Sequence, residues 1–162
     1  MPTGPKRRTR LLRGTRVLPV QRLSFDEYAD MVREADLEFL MSGPSREPWE
    51  VFQCAVMSIA LQFGAEGGPK IVHGITRSDA LIFIFQHKKF ADHLIFDGHM
   101  AKPYDIAVLP PSSHFMAATF GSHRWVSITL PAGLFGEVAA QAGKNELEWV
   151  EREKLPHFEI TG

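Results

Sequence analysis

The sequence predicts a mainly β domain, an antiparallel sandwich or barrel. Short runs rich in Val, Ile, Phe and Trp follow one another from about residue 37 to residue 130, punctuated by Gly, Pro and Ser. No long helical period separates these runs, which argues against a parallel α/β sheet with its crossover helices. The composition, 44% hydrophobic and 23% charged over 162 residues, is that of one globular domain.

In chain order, residues 1–20 read as a basic, disordered leader. Lys6, Arg7, Arg8, Arg10, Arg13 and Arg16 have no acid among them, and Pro2, Gly4 and Pro5 disfavour regular structure. The whole chain has 18 basic and 19 acidic residues, so the body beyond this leader is acidic. Ser24 and Glu27 form a capping-box signature, and Phe25, Tyr28, Ala29 and Val32 recur at helical spacing, which predicts a short amphipathic helix over 25–34. Strands are predicted over 37–41, 50–55, 58–62, 70–73, 80–86, 93–96, 105–109, 115–119 and 125–130. Gly67-Gly68-Pro69, Asp97-Gly98 and Pro110-Pro111 supply turns between them. The run Leu81-Ile82-Phe83-Ile84-Phe85 is apolar without alternation, as expected of a strand covered on both faces. Residues 131–142 return to a helical composition, with Leu134, Phe135 and Val138 on one face and Gly143 as a C-cap. The segment 144–162 mixes charges with Leu147, Trp149 and Val150 and reads as the start of a linker.

The stretch Phe96-Asp97-Gly98-His99-Met100-Ala101-Lys102-Pro103-Tyr104-Asp105-Ile106-Ala107-Val108-Leu109-Pro110-Pro111, followed by Arg124-Trp125-Val126-Ser127-Ile128-Thr129-Leu130-Pro131, resembles the N-terminal domain of AraC-type transcription regulators. The likeness reaches back to Ser24-Phe25-Asp26 and forward past Pro131, covering roughly residues 20 to 145. It implies a cupin-like antiparallel β-barrel of the double-stranded β-helix or jelly-roll type over 21–143, with a short N-terminal helix and a C-terminal flanking helix. It also implies a sensory and dimerising role. Such a barrel binds a small organic effector, or merely pairs with a second copy, and positions a separate helix-turn-helix domain on DNA. That DNA reader needs about 100 further residues. The chain is therefore expected to be a truncated piece of a longer regulator, a homodimer touching DNA only through the missing C-terminal domain. Family barrels usually carry Gly where this chain has Tyr104, and often where it has Ser112.

Seven histidines invite a metal, because metal-binding cupins hold an ion with two or three His and a carboxylate. The spacing does not comply: no His-x-His word followed by Glu is present, His87 and His93 are separated by Lys88 and Lys89, and His114 stands alone after a proline turn. Cys54 lies in an apolar run, no Gly-x-Ser-x-Gly elbow occurs, and Gly64 to Gly68 lacks the Lys-Ser/Thr of a phosphate loop. The expectation is no metal, no cofactor and no catalytic residue. The alternative is a stand-alone cupin-fold enzyme, a metal-dependent dioxygenase or isomerase acting on a small organic acid. Effector contacts are expected from the barrel interior, with Phe83, Phe85, Phe115 and Trp125 as walls and His73, His87 or His114 as polar handles. Leu134, Phe135 and Val138 are the expected dimer contacts. One cysteine, no export-signal core and no run of the ~20 apolar residues that span a membrane point to the cytoplasm.

Overall fold

A computed structural model describes residues 15–32, 35–86, 94–102, 104–134, 137 and 157–159. The elements are β1 (Thr15–Leu23), α1 (Phe25–Met31), β2 (Ala35–Met41), β3 (Trp49–Val56), β4 (Ile59–Glu66), β5 (Lys70–Thr76), β6 (Ala80–Gln86), β7 (Leu94–Phe96), β8 (His99–Met100), β9 (Asp105–Leu109), β10 (His114–Thr119), β11 (His123–Pro131) and β12 (His157–Glu159). They form two antiparallel sheets, a seven-stranded one in the order β1-β3-β4-β11-β6-β9-β12 and a five-stranded one in the order β2-β5-β10-β7-β8. Strands β4 to β11 alone give β4-β11-β6-β9 facing β5-β10-β7-β8, which is the strand order of a jelly roll. Among the described residues no strand pairing joins the two sheets.

Each of the nine expected strands is present, several of them longer than expected. Three further segments are strands where the sequence suggested none: β1, the two-residue β8 and β12. Residues 15–20, which read as part of the leader, form most of β1, which pairs with β3. Arg16 and Pro19 interrupt the apolar pattern there, yet an edge strand tolerates both. The register slips between Leu18 and Gln21, so Pro19 sits at the irregularity and no ladder hydrogen bond is asked of it. Near the other end, β12 pairs with β9 inside the segment 144–162 that reads as a linker. Residues 1–14, Phe135, Val138 and most of the expected C-terminal helix lie outside the described residues, and Leu134 is half-buried. No helix among the described residues is long and apolar enough to cross a membrane.

The capping box predicted for α1 is formed. Ser24 Oγ accepts from the Glu27 amide at 3.3 Å, and the Ser24 amide donates to Glu27 Oε2 at 2.8 Å. The helix stops at Met31, earlier than expected, because Val32 is already extended. Tyr28 is fully buried beneath α1, with its ring 5.0 Å from Trp49 and 6.1 Å from Phe39. The Asp97-Gly98 turn adopts φ of 46° and 82°, the left-handed pair a tight hairpin needs. Tyr104 and Ser112 also have positive φ, 76° and 57°.

The main core lies between the sheets, where Val72, Ile82, Phe96, Leu109 and Phe115 are buried together. A second cluster on the outer face of the large sheet contains Leu81, Ile106 and Val108, with Phe83 and Phe85 packed against it. Strand β6 therefore has apolar side chains on both faces, as its unbroken run predicts.

Candidate functional site

A cavity of about 100 Å³ lies between the sheets. Its small-sheet wall is apolar, with Leu37, Phe39, Val72, Phe96 and Phe115 lining it. Phe96 and Phe115 stack with ring centroids 5.9 Å apart. Gly74 makes room for this wall: a Cβ there would lie 2.5 Å from Leu37 and 3.1 Å from Phe115.

The large-sheet wall is mixed: Ile82, Ile84 and Leu109 are apolar, and polar residues lie beside them. Gln62, Glu66, His123, Trp125 and Ser127 reach the cavity from β4 and β11, and Lys70 and Thr119 from the adjoining corner of the small sheet. The turn Gly67-Gly68-Pro69 carries the chain from β4 in one sheet to β5 in the other. It brings Glu66 and Lys70 together at 2.8 Å, with both side chains almost fully withdrawn from water. This ion pair bridges the two sheets at that end.

Glu66 is the hub of the cluster. Tyr28 Oη donates to Glu66 Oε1 at 2.8 Å, and Trp125 Nε1 donates to the same oxygen at 2.7 Å. His123 lies opposite Glu66 in the β4–β11 ladder. Burial opposes ionisation of Glu66, but the charges of Lys70 and then His123, with hydrogen bonds from Lys70 and Tyr28, outweigh it and hold the carboxyl below its usual range. Burial first, then the Glu66 charge, pushes the Tyr28 hydroxyl well above the ordinary tyrosine value, so Tyr28 stays a neutral donor. Gly64 makes this geometry attainable. It faces Trp125 across the ladder, and a Cβ on it would overlap the indole ring. Only a residue without a side chain lets the indole lie over β4 and reach Glu66.

Of the seven effector contacts expected from the sequence, Phe115 and Trp125 line the cavity. Four others face away from it. His73 and His114 are exposed on the outer face of the small sheet, with ring centroids 6.2 Å apart. Phe83 and Phe85 stand on the outer face of the large sheet, and Phe85 shares a groove there with Phe52, Phe63 and Val126. The reason is strand parity: on β6 it is Ile82 and Ile84 that point inward. His87 lies outside the described residues. The polar residues missed were Tyr28, Gln62, Glu66, Lys70 and His123. A signal for two of them existed in Gln62-Phe63-Gly64-Ala65-Glu66, where polar and small residues alternate with larger apolar ones.

A cupin-type metal site does not fit this cluster. Among the described residues no three His, Cys, Asp or Glu side chains converge, and Glu66 is already engaged by Lys70, Tyr28 and Trp125. No protein-family model matches the chain, and no curated protein matches it. Among solved structures it is similar to a cupin-2 domain protein of Rhodospirillum rubrum, at 12% identity and a TM-score of 0.34, over 71% of this chain and 88% of that one.

Proposed function

We propose that this chain is the sensory and dimerising domain of an AraC-type regulator, a cupin-like barrel acting in the cytoplasm. It encloses a small organic effector between its sheets and, as a homodimer, sets the spacing of two C-terminal helix-turn-helix domains. The observation that supports this reading best is the inter-sheet cavity, a largely apolar space with a few fixed polar groups in its lining. That is the usual make-up of a small-molecule site, in which apolar surface gives affinity and a few placed polar groups give orientation. The resemblance of residues 96–111 and 124–131 supplies the regulatory context, and Tyr104 and Ser112, where the resembled family carries glycine, adopt positive φ, a backbone that favours glycine. The rival reading, a metal-dependent cupin enzyme, needs a ligand set that the described residues do not assemble.

The test is the intact mass of the native gene product, together with its coding frame beyond Gly162. Continuation through about 100 residues containing two helix-turn-helix patterns is expected. A stop after Gly162 would overturn the regulator reading.

A further inference from the structure

We infer that the cavity takes an uncharged molecule of about five to seven heavy atoms that carries one hydroxyl, a phenol or small cyclic alcohol, with the hydroxyl hydrogen-bonded to the Gln62 side-chain amide. The inference rests on the sensory reading and narrows it to a ligand class.

Three observations carry it. The first is size. A cavity of about 100 Å³ is smaller than the ~150 Å³ apolar void that takes up benzene, so nothing larger than one ring enters it.

The second is charge. The cation of the polar cluster, Lys70, is held against Glu66 at 2.8 Å, and both are buried. His123 faces the same carboxylate. A ligand carboxylate would have to sit beside Glu66 and compete for Lys70, and a ligand cation would have to compete with Lys70 for Glu66. A neutral head group avoids both desolvated conflicts.

The third observation is direction. Gln62 is only 5% exposed and lines the cavity, yet among the described residues its Oε1 has no hydrogen-bond partner. A buried acceptor without a donor is costly, and a ligand that supplies one recovers that cost on binding. Glu66 Oε1, by contrast, already accepts from Tyr28 and Trp125. A hydroxyl suits the amide in either orientation, since it both donates and accepts. The apolar wall of Phe96, Phe115 and Val72 then covers the ring.

The experiment is calorimetric titration of the protein with phenol, toluene and benzoate, repeated on Gln62→Met and Ala117→Ile. Methionine keeps the shape of Gln62 and removes the acceptor, whereas isoleucine at Ala117 fills the cavity from β10. Phenol is expected to bind about tenfold more tightly than toluene, the value of one well-placed hydrogen bond. Gln62→Met should weaken phenol about tenfold and leave toluene unchanged, and Ala117→Ile should abolish both. Equal affinities for phenol and toluene, or phenol binding indifferent to either substitution, would overturn the inference, as would failure of all three compounds to bind. Tighter binding of benzoate in the same cavity would overturn the neutral class but leave the sensory reading standing. A stop after Gly162 would do the reverse, removing the regulator and leaving the ligand chemistry intact.

Discussion

The two sheets use the same alternating pleat in opposite ways. In the five-stranded sheet, β5 alternates strictly between buried and exposed residues, with Val72 and Gly74 inward and Ile71, His73 and Ile75 outward. In the seven-stranded sheet the inward residues include Gln62, Glu66 and Ser127. One outward row runs Phe52, Phe63, Val126, Phe85 and Ile106 across five strands. The small sheet's share of the cavity is apolar except for Lys70 and Thr119 at one corner, whereas the large sheet sets Gln62, Glu66 and Ser127 beside Ile82, Ile84 and Leu109. Buried polar groups are tolerated where they satisfy one another, as Glu66 does with Lys70, Tyr28 and Trp125.

Removing the hub's charge balance should have the largest effect. Glu66→Gln leaves Lys70 buried without its anion and is expected to cost about 3–5 kcal/mol in urea denaturation, whereas Glu66→Leu with Lys70→Met should recover most of that loss. For comparison, breaking the Arg22–Glu50 pair on β1 and β3, where the arginine side chain is 80% exposed, should cost less than about 1 kcal/mol.

Tyr28→Phe comes next. It deletes one donor to the buried carboxylate and is expected to destabilise by about 1.5–3 kcal/mol. Gly64→Ala should cost about 1–3 kcal/mol by driving a methyl group into the Trp125 indole, while Gly121→Ala, which meets open space, should stay within about 0.5 kcal/mol.

Acid should expose the same difference between the sheets. Because the folded Glu66 carboxyl lies below its unfolded value, its contribution is fully present above the ordinary glutamate range near pH ~4.3. That contribution is lost as pH falls through the lower folded value. Glu66→Leu with Lys70→Met should flatten this acid limb of the stability profile. The smallest effect is a gain: Tyr104→Gly and Ser112→Gly should each stabilise by about 0.5–1 kcal/mol, since glycine adopts their left-handed backbone without strain. Unchanged melting in both variants would show that these turns carry no strain.

The strands, the capping box and the Asp97-Gly98 turn were legible because each rests on local chemistry: β-branched and aromatic runs, one Ser–Glu pair, and residues that accept positive φ. Strand β1 was not, because the tolerance of an edge for Pro19 depends on its neighbour β3, which no local pattern records. The site was half legible for a similar reason. Phe115 and Trp125 read as interior and are interior. Phe83 and Phe85 were misassigned because β6 is apolar on both faces, so parity had no anchor. Glu66 and Lys70 were missed because a charge beside a Gly-Gly-Pro turn normally faces water. Their burial follows from the turn changing sheets, a tertiary fact.

The most direct test of the central claim is the indole N–H resonance of Trp125, followed by nuclear magnetic resonance while phenol is titrated in. Trp125 donates to Glu66 in the polar cluster of the cavity, so its resonance should move along the binding curve while signals from His73 and His114 stay still. If phenol saturates the protein and the Trp125 indole does not move, the ligand is not in this cavity and the account is wrong.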